Sequence, residues 1–297
     1  MPDAVAMPHA VECVWPVGAQ LGEGPFWSAA EEALWFVDIK GRKIHRFHEP
    51  SGTTRSWDTP PDPGFILPTR AGGLVVGLRA GLHHFDPDSG SFSLLHEVES
   101  HAPGNRLNDG FVDAEGHLWF GSMDDGETAP SGALYQLTSG GCRRRDESYV
   151  ITNGPCASPN GRTLYHTDTL KKEIYAFVKT RDGELSNKRV FAQLGPEDGY
   201  ADGPIVDSSG ALWTGLFGGW GLNRYTAEGR WLGKLKLPVA NVTKAAFGGH
   251  DLRTLYITTA WKGLTAEQRA GQPLAGGLFR IRVATPGLPQ STIAHGL

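Results

Sequence analysis

Three short stretches share one form and differ in the polar residue at its head. Glu23-Gly24-Pro25 precedes Leu34-Trp35, Asn153-Gly154-Pro155 precedes Leu164-Tyr165, and Asp202-Gly203-Pro204 precedes Leu212-Trp213. The polar residue stands 11, 11 and 10 places before its Leu-aromatic pair, so Glu23, Asn153 and Asp202 occupy one structural position in three copies of one unit. If the copies surround an axis, two carboxylates and an amide carbonyl converge on a point. That is a hard oxygen set, suited to one divalent ion such as Ca²⁺, Mg²⁺ or Mn²⁺ and tolerated by Zn²⁺ or Fe²⁺. Three protein ligands leave positions open for water or substrate, which a catalytic rather than a structural ion needs. Taken singly, Asp-Gly and Asn-Gly pairs are ordinary loop turns. Their coincidence at matched positions, with Pro after Gly each time, is what argues for a shared site.

Other polar residues lie where they could join that site. In Asn105-Arg106-Leu107-Asn108-Asp109-Gly110, Arg106 can clamp a carboxylate or sugar oxygens with its planar fork, and Asn108 both donates and accepts. The alternative for Arg106 is a solvated loop arginine. His166 and Asp168 invite a general-base reading, but they read better as structural partners between strands, with His166 a candidate to line a channel. No Gly-x-Ser-x-Gly elbow and no His-Glu-x-x-His occurs, so serine-esterase and zincin chemistry find no support.

The elements that must position these residues are short strands in a repeating unit. The first leucines of the Leu-aromatic or Leu-Val pairs stand at 34, 74, 118, 164, 212 and 255, a spacing of 40 to 48 residues. Four-stranded propeller blades repeat at that period. The pattern predicts an all-β, six-bladed propeller with four-stranded blades around a central channel. It would form a single domain over residues 1–297, with residues 1–10 as an N-terminal extension. Val11 to Trp15 lies upstream of the first unit and could complete the last blade, removing two exposed sheet edges. Counting back to the start of each inner strand collects Glu23, Phe65, Asp109, Asn153, Asp202 and Lys244 at one mouth. No stretch holds a convincing helical period; Thr265 to Gly271 comes nearest.

Composition bounds the partners. A formal net charge of -4 offers no basic field for nucleic acid, and Arg143-Arg144-Arg145, beside Gly140-Gly141, reads as a solvated loop. The 40 glycines and 20 prolines are spread along the chain, as turns require. Cys13, Cys142 and Cys156 show no paired spacing, so a disulfide framework and a cysteine zinc site are not indicated; reduced thiols in the cytoplasm are the simple expectation. The first ten residues lack the pattern of a secretion signal, and no 18-residue apolar window suggests a membrane partner.

Together, Leu21-Gly22-Glu23-Gly24-Pro25, Arg106-Leu107-Asn108-Asp109-Gly110, Thr152-Asn153-Gly154-Pro155 and Ala201-Asp202-Gly203-Pro204 resemble the SMP-30/gluconolactonase/regucalcin-like family, bacterial aldonolactonases of the xylonolactonase or arabinonolactonase type in particular. The likeness runs from about Val11 to the last blade. It implies a six-bladed propeller, a divalent metal on Glu23, Asn153 and Asp202, and substrate contacts from Arg106 and Asn108. It also implies that Asp202 helps activate the attacking water. Where some members carry a substrate-binding glutamate, this chain has Gly121-Ser122-Met123-Asp124-Asp125, so Asp125 is the substitute with shorter reach. The expected function is hydrolysis of a sugar lactone, with a pentonolactone favoured. The alternatives are a metal-dependent phosphotriesterase or aryl-lactonase, disfavoured by the polar Arg106 and Asn108 edge, and a non-catalytic calcium-binding propeller.

Overall fold

A computed structural model describes residues 10–294. The expected extension over residues 1–10 therefore falls, for residues 1–9, outside the described residues. Twenty-four strands form six four-stranded antiparallel sheets, five of them built from consecutive strands in chain order. The innermost strands are Gly22–Ser28, Phe65–Pro68, Asn105–Val112, Thr152–Ala157, Tyr200–Val206 and Asn241–Gly248. In the sixth sheet the outermost strand is Glu12–Trp15, paired with Leu278–Arg282, so the segment before the first blade closes the ring as the sequence predicts.

Burial follows the distance of a strand from the axis. The second strands are buried along nearly their whole length, Ala33–Asp38 and Thr254–Ala260 at every position, because neighbouring sheets cover both faces. This is why they read as continuous apolar or Thr-rich runs rather than as alternating ones. The outer strand Thr53–Asp58 buries Trp57 alone. The core lies between blades. Trp27, Leu34, Phe36 and Phe47 of the first pack against Ala246, Tyr256 and Leu278 of the sixth, with the Trp27 and Tyr256 rings stacked at 5.5 Å. Apolar burial of this kind contributes about 25 cal/mol per Å².

One reading of the sequence changes. Arg143 to Arg145 lies within the outer strand Gly141–Tyr149, not in a loop, and charge on an outer strand protects an open edge from pairing with another chain. Thr265 to Gly271 contains one helical turn, Ala266–Ala270, started by the Thr265 hydroxyl, which accepts from the Gln268 backbone N–H. Among the described residues no helix is long and apolar enough to cross a membrane. Cys13, Cys142 and Cys156 are unpaired.

Candidate active site

The polar heads sit in bulges. Opposite the second strand, the inner strand carries one extra residue between Glu23 and Phe26, Leu107 and Gly110, Asn153 and Cys156, Ala201 and Pro204, and Val242 and Ala245. A bulge bends the strand and re-aims a side chain. At Gly24 and Gly154 the bulge takes φ of 53° and 77°, which glycine adopts without the steric penalty of a side chain. Phe65–Pro68, the one inner strand without a bulge, is also the one that brings an aromatic rather than a polar residue.

Register sharpens the alignment. Phe26, Phe111, Cys156 and Ile205 face Trp35, Trp119, Tyr165 and Trp213, and three residues earlier stand Glu23, Asn108, Asn153 and Asp202. Asn108, rather than Asp109, is thus the equivalent of Glu23 in the third blade. In the sixth, where Ala246 faces Tyr256, the equivalent is Thr243 rather than Lys244.

Asp109 and Lys244 have a separate place. They come from the third and sixth blades, which are opposite in the ring, and Lys244 Nζ reaches Asp109 Oδ1 at 2.5 Å. The pair therefore bridges the axis. Asp109 Oδ2 also accepts the Gly154 N–H at 2.8 Å. Lys244 further lines a cavity of about 400 Å³ toward the other end of the channel, walled by Trp27, Phe111, Phe247 and prolines 25, 155 and 204. The ion pair is the floor between that apolar cavity and the polar mouth.

At the mouth, Glu23, Asn108, Asn153 and Asp202 are all at most 5 % exposed. Burial, then the charge of Asp109, pushes the Glu23 carboxyl up to about 7, and its interactions include a hydrogen bond with Asp202. Burial and the charges of Glu23 and Asp109 raise Asp202 well above the carboxylate range. Asp202 Oδ1 is buried without a hydrogen-bond partner. Two carboxylates in contact, away from water, need a shared proton or a cation, and the orphaned oxygen is a further acceptor. These donors fit a divalent ion.

The orientation of Asn153 follows from donor arithmetic. The Thr169 hydroxyl spends its single hydrogen on Ala201 O at 3.0 Å, so it must accept from Asn153 Nδ2 at 2.9 Å. On the other side, Arg106 Nη1 can only donate to Asn108 Oδ1, at 2.6 Å. Asn108 Nδ2 then donates to Thr152 O at 2.6 Å and to Asn153 Oδ1 at 2.9 Å. Thr169, which carries no motif in the sequence, and Asn108 together fix which end of the Asn153 amide is the acceptor.

Arg106 is 3 % exposed and not a solvated loop residue. Its Nε donates to Asp125 Oδ1 at 2.9 Å. Asp125 also receives Lys40 at 2.6 Å and Arg79 at 2.6 Å. Burial works to raise the Asp125 carboxyl, but the hydrogen bonds from Lys40 and Arg79 and the charge of Arg106 outweigh it and hold the group far below its ordinary value. A carboxylate so held is a poor proton acceptor and a good anchor for Arg106.

His166 lies outside this assembly. It is on the second strand Thr163–Asp168, fully buried and edge-on to Tyr149 at 4.9 Å, with both ring nitrogens unpartnered. Burial lowers it to about 3. It neither lines the channel nor pairs with Asp168, which instead binds Lys171 at 2.8 Å. A second acidic group, Asp113, Glu115 and His117, brings ligand atoms within 4.8 Å of one another. Lys179 Nζ already sits among them, 3.0 Å from Asp113 and 3.1 Å from Glu115, so a cation is built into that cluster.

Comparison with known proteins agrees with the six-bladed fold. Residues 21–261 match the family model described as SMP-30/Gluconolactonase/LRE-like region. The chain is 31 % identical to the 6-deoxy-6-sulfogluconolactonase of Pseudomonas putida, over 97 % of this chain and 100 % of the relative. It is 34 % identical to the L-arabinolactonase of Azospirillum brasilense, over 92 % of each. Among solved structures, the calcium-binding protein regucalcin from Agrobacterium tumefaciens superposes with a TM-score of 0.93 at 27 % identity, over 97 % of this chain and 98 % of that one.

Proposed function

The chain belongs to the SMP-30/gluconolactonase/LRE-like family, and from that premise we propose that it hydrolyses a sugar lactone to the sugar acid at the mouth where Glu23, Asn153 and Asp202 meet. The observation that carries this reading is the buried Glu23 and Asp202 pair with an unsatisfied Asp202 oxygen; support comes from the Asn153 amide on the inner strand of the fourth blade, whose orientation is locked. Glu23, Asn153 Oδ1 and Asp202 would hold a divalent cation. Such an ion supplies Lewis-acid polarisation of the lactone carbonyl and offsets the charge that develops on its oxygen.

The remaining roles fall to the side chains. Asp202 Oδ1 accepts a proton from the attacking water as the new C–O bond forms, and that proton goes to the ring oxygen when the lactone C–O bond breaks. Arg106 presents N–H donors to the substrate hydroxyls, and Asn108, whose two Nδ2 hydrogens are already given to Thr152 O and Asn153 Oδ1, offers the remaining lone pair of Oδ1 as an acceptor, with Asp125 fixing the Arg106 fork. The polar edge they form favours a hydroxylated ring over an aryl ester. For the substrate we take a pentonolactone such as xylonolactone or arabinonolactone, on the likeness to L-arabinolactonase.

The test is a hydrolysis panel of sugar lactones, aryl esters and phosphotriesters, each run with metal and with chelator. Chelator-sensitive opening of sugar lactones is the expected result. Turnover confined to aryl esters or phosphotriesters, or calcium binding with no turnover, would replace the lactonase reading with one of those two.

A further inference from the structure

Above the Arg106 edge, one ion-pair cluster holds more cations than carboxylates. Lys40, Arg79 and Arg106, from three different blades, meet Asp62 and Asp125. Lys40 Nζ lies 2.6 Å from Asp125 and 3.3 Å from Asp62; Arg79 Nη2 lies 2.5 Å from Asp62 and 2.6 Å from Asp125; Arg106 Nε lies 2.9 Å from Asp125. Three cations thus face two carboxylates. The neighbouring Lys262 and Glu127 pair with each other and leave that surplus unchanged. On the floor, two positive charges from a bound divalent ion together with Lys244 would balance Glu23, Asp109 and Asp202, so the excess belongs to the rim.

The surplus is also reachable. The Lys40 and Arg79 side chains are 23 % and 34 % exposed. Arg106, 2 % exposed, makes no hydrogen bond from Nη2 among the described residues, while its Nε and Nη1 are both used. Paired charges drawn from three blades are an expensive way to stabilise a fold, since apolar packing does so without their desolvation cost. They are an effective way to hold guanidinium forks ready for an oxyanion.

We propose that Lys40, Arg79 and Arg106 form a subsite for an anionic substituent of the lactone, a carboxylate, sulfonate or phosphate carried away from the reacting carbonyl, with Asp62 and Asp125 orienting the cations. This deepens the lactonase reading and rests on it for the position of the ring.

The test uses the metal-loaded full chain. Its kcat/KM is compared for glucono-1,5-lactone and its 6-phospho ester, and for a neutral and a terminal-carboxylate lactone of matched ring. Calorimetric binding of 6-phosphogluconate is compared with that of gluconate. The charged member is expected to be preferred by about tenfold or more, the size of one charge-assisted contact, with the preference shrinking as salt is raised. Arg79→Met and Lys40→Met should each cut that ratio about tenfold. Asp62→Asn, which removes a competing carboxylate, should raise it, an effect no purely structural role produces. Equal handling of charged and neutral members in both turnover and binding overturns the subsite, as does a ratio unmoved by all three variants in proteins that remain folded by circular dichroism. If no lactone is opened but 6-phosphogluconate still binds more tightly than gluconate, the subsite stands and the lactonase reading falls.

Discussion

In the proposed mechanism the Asp202 carboxylate both holds the metal and takes the water proton, and a single atom change separates the two tasks. Asp202→Asn keeps an oxygen of the same reach but cannot take a proton from water. Turnover is therefore expected to fall by roughly 10² or more, the range for loss of a general base, while calorimetric titration still shows a divalent ion bound. A metal-loaded variant that works near the parental rate would make Asp202 a ligand only. Neither His166 nor Asp125 is a ready substitute, since one is fully buried on a second strand away from the mouth and the other is clamped by three cations. The locked amide of Asn153 gives a second expectation. Arg106, Asn108 and Asn153 form a hydrogen-bonded series, so the proposed substrate contacts would also aim the proposed ligand oxygen. Asn108→Leu should weaken metal affinity as well as turnover, both measured by titration against metal, and excess metal should restore part of the rate by mass action. Loss of turnover with metal affinity intact would leave Asn108 as a substrate contact alone. His166 makes a third case, concerning stability. Its folded value of about 3 lies below the ordinary 6.5, so between those values the unfolded chain binds the extra proton and stability is lost as pH falls. His166→Phe, which keeps the ring and removes two unpartnered nitrogens, should raise stability at pH 7 and flatten the acid limb by ~1.4 kcal/mol per pH unit. Urea denaturation at pH 7, 5 and 4 reads this directly, and an unchanged slope would refute it.

Bulges and turns explain which parts of the site the sequence reveals. Glu23, Asn153 and Asp202 are legible because each opens the same Gly-Pro bulge at nearly the same distance from its Leu-aromatic pair. Asn108 is legible only as a substrate contact and not as their equivalent, because no Gly-Pro follows it and counting back from Leu118 to Asp109 stops one residue short of it. The cationic rim is invisible for a different reason: Lys40 and Asp125 are 85 residues apart and lie in the connections after second strands, which share no motif. Register comparison also exposes a gap in the first blade. Two residues after the residues facing Trp119 and Trp213 stand Asp113 and Asp207, whose Oδ2 atoms accept the indole N–H at 2.8 and 3.0 Å. In the first blade the same position is Ser28, and the buried Trp35 Nε1 has no partner. Ser28→Asp should supply the missing acceptor and stabilise the protein by about 1 kcal/mol, the net worth of one such bond. A thermal melt no higher than the parent's would show that the longer turn here keeps the carboxylate out of reach.

One end of the ring is crossed by the last described segment of the chain. After Arg282 the chain crosses the end of the channel away from Glu23, and its backbone bonds to turns of four blades. Pro286 O accepts from Ser208, Gly287 donates to Leu252, Ile293 exchanges bonds with Pro68 and Arg70, and Ala294 donates to Gly116, all between 2.8 and 3.0 Å. Ile293 is buried, and residues 288–291 wall the apolar cavity beneath the Lys244 and Asp109 floor. This strap ties the fifth and sixth blades to the second and third, a link across the ring that pairing within blades cannot provide. Its five backbone bonds, at about 1 kcal/mol each before the cost of ordering the segment, imply that ending the chain at Thr285 lowers Tm by roughly 5–10 °C. The mouth should be affected far less, because the floor ion pair separates it from the strap. At a temperature well below the new Tm, the shortened protein is expected to keep lactone kcat/KM and metal affinity within about a factor of three, a difference of under 1 kcal/mol. A shortened chain that stays folded but loses turnover would place the substrate's path through the strap end of the channel, and with it the reacting centre on the wrong side of Lys244.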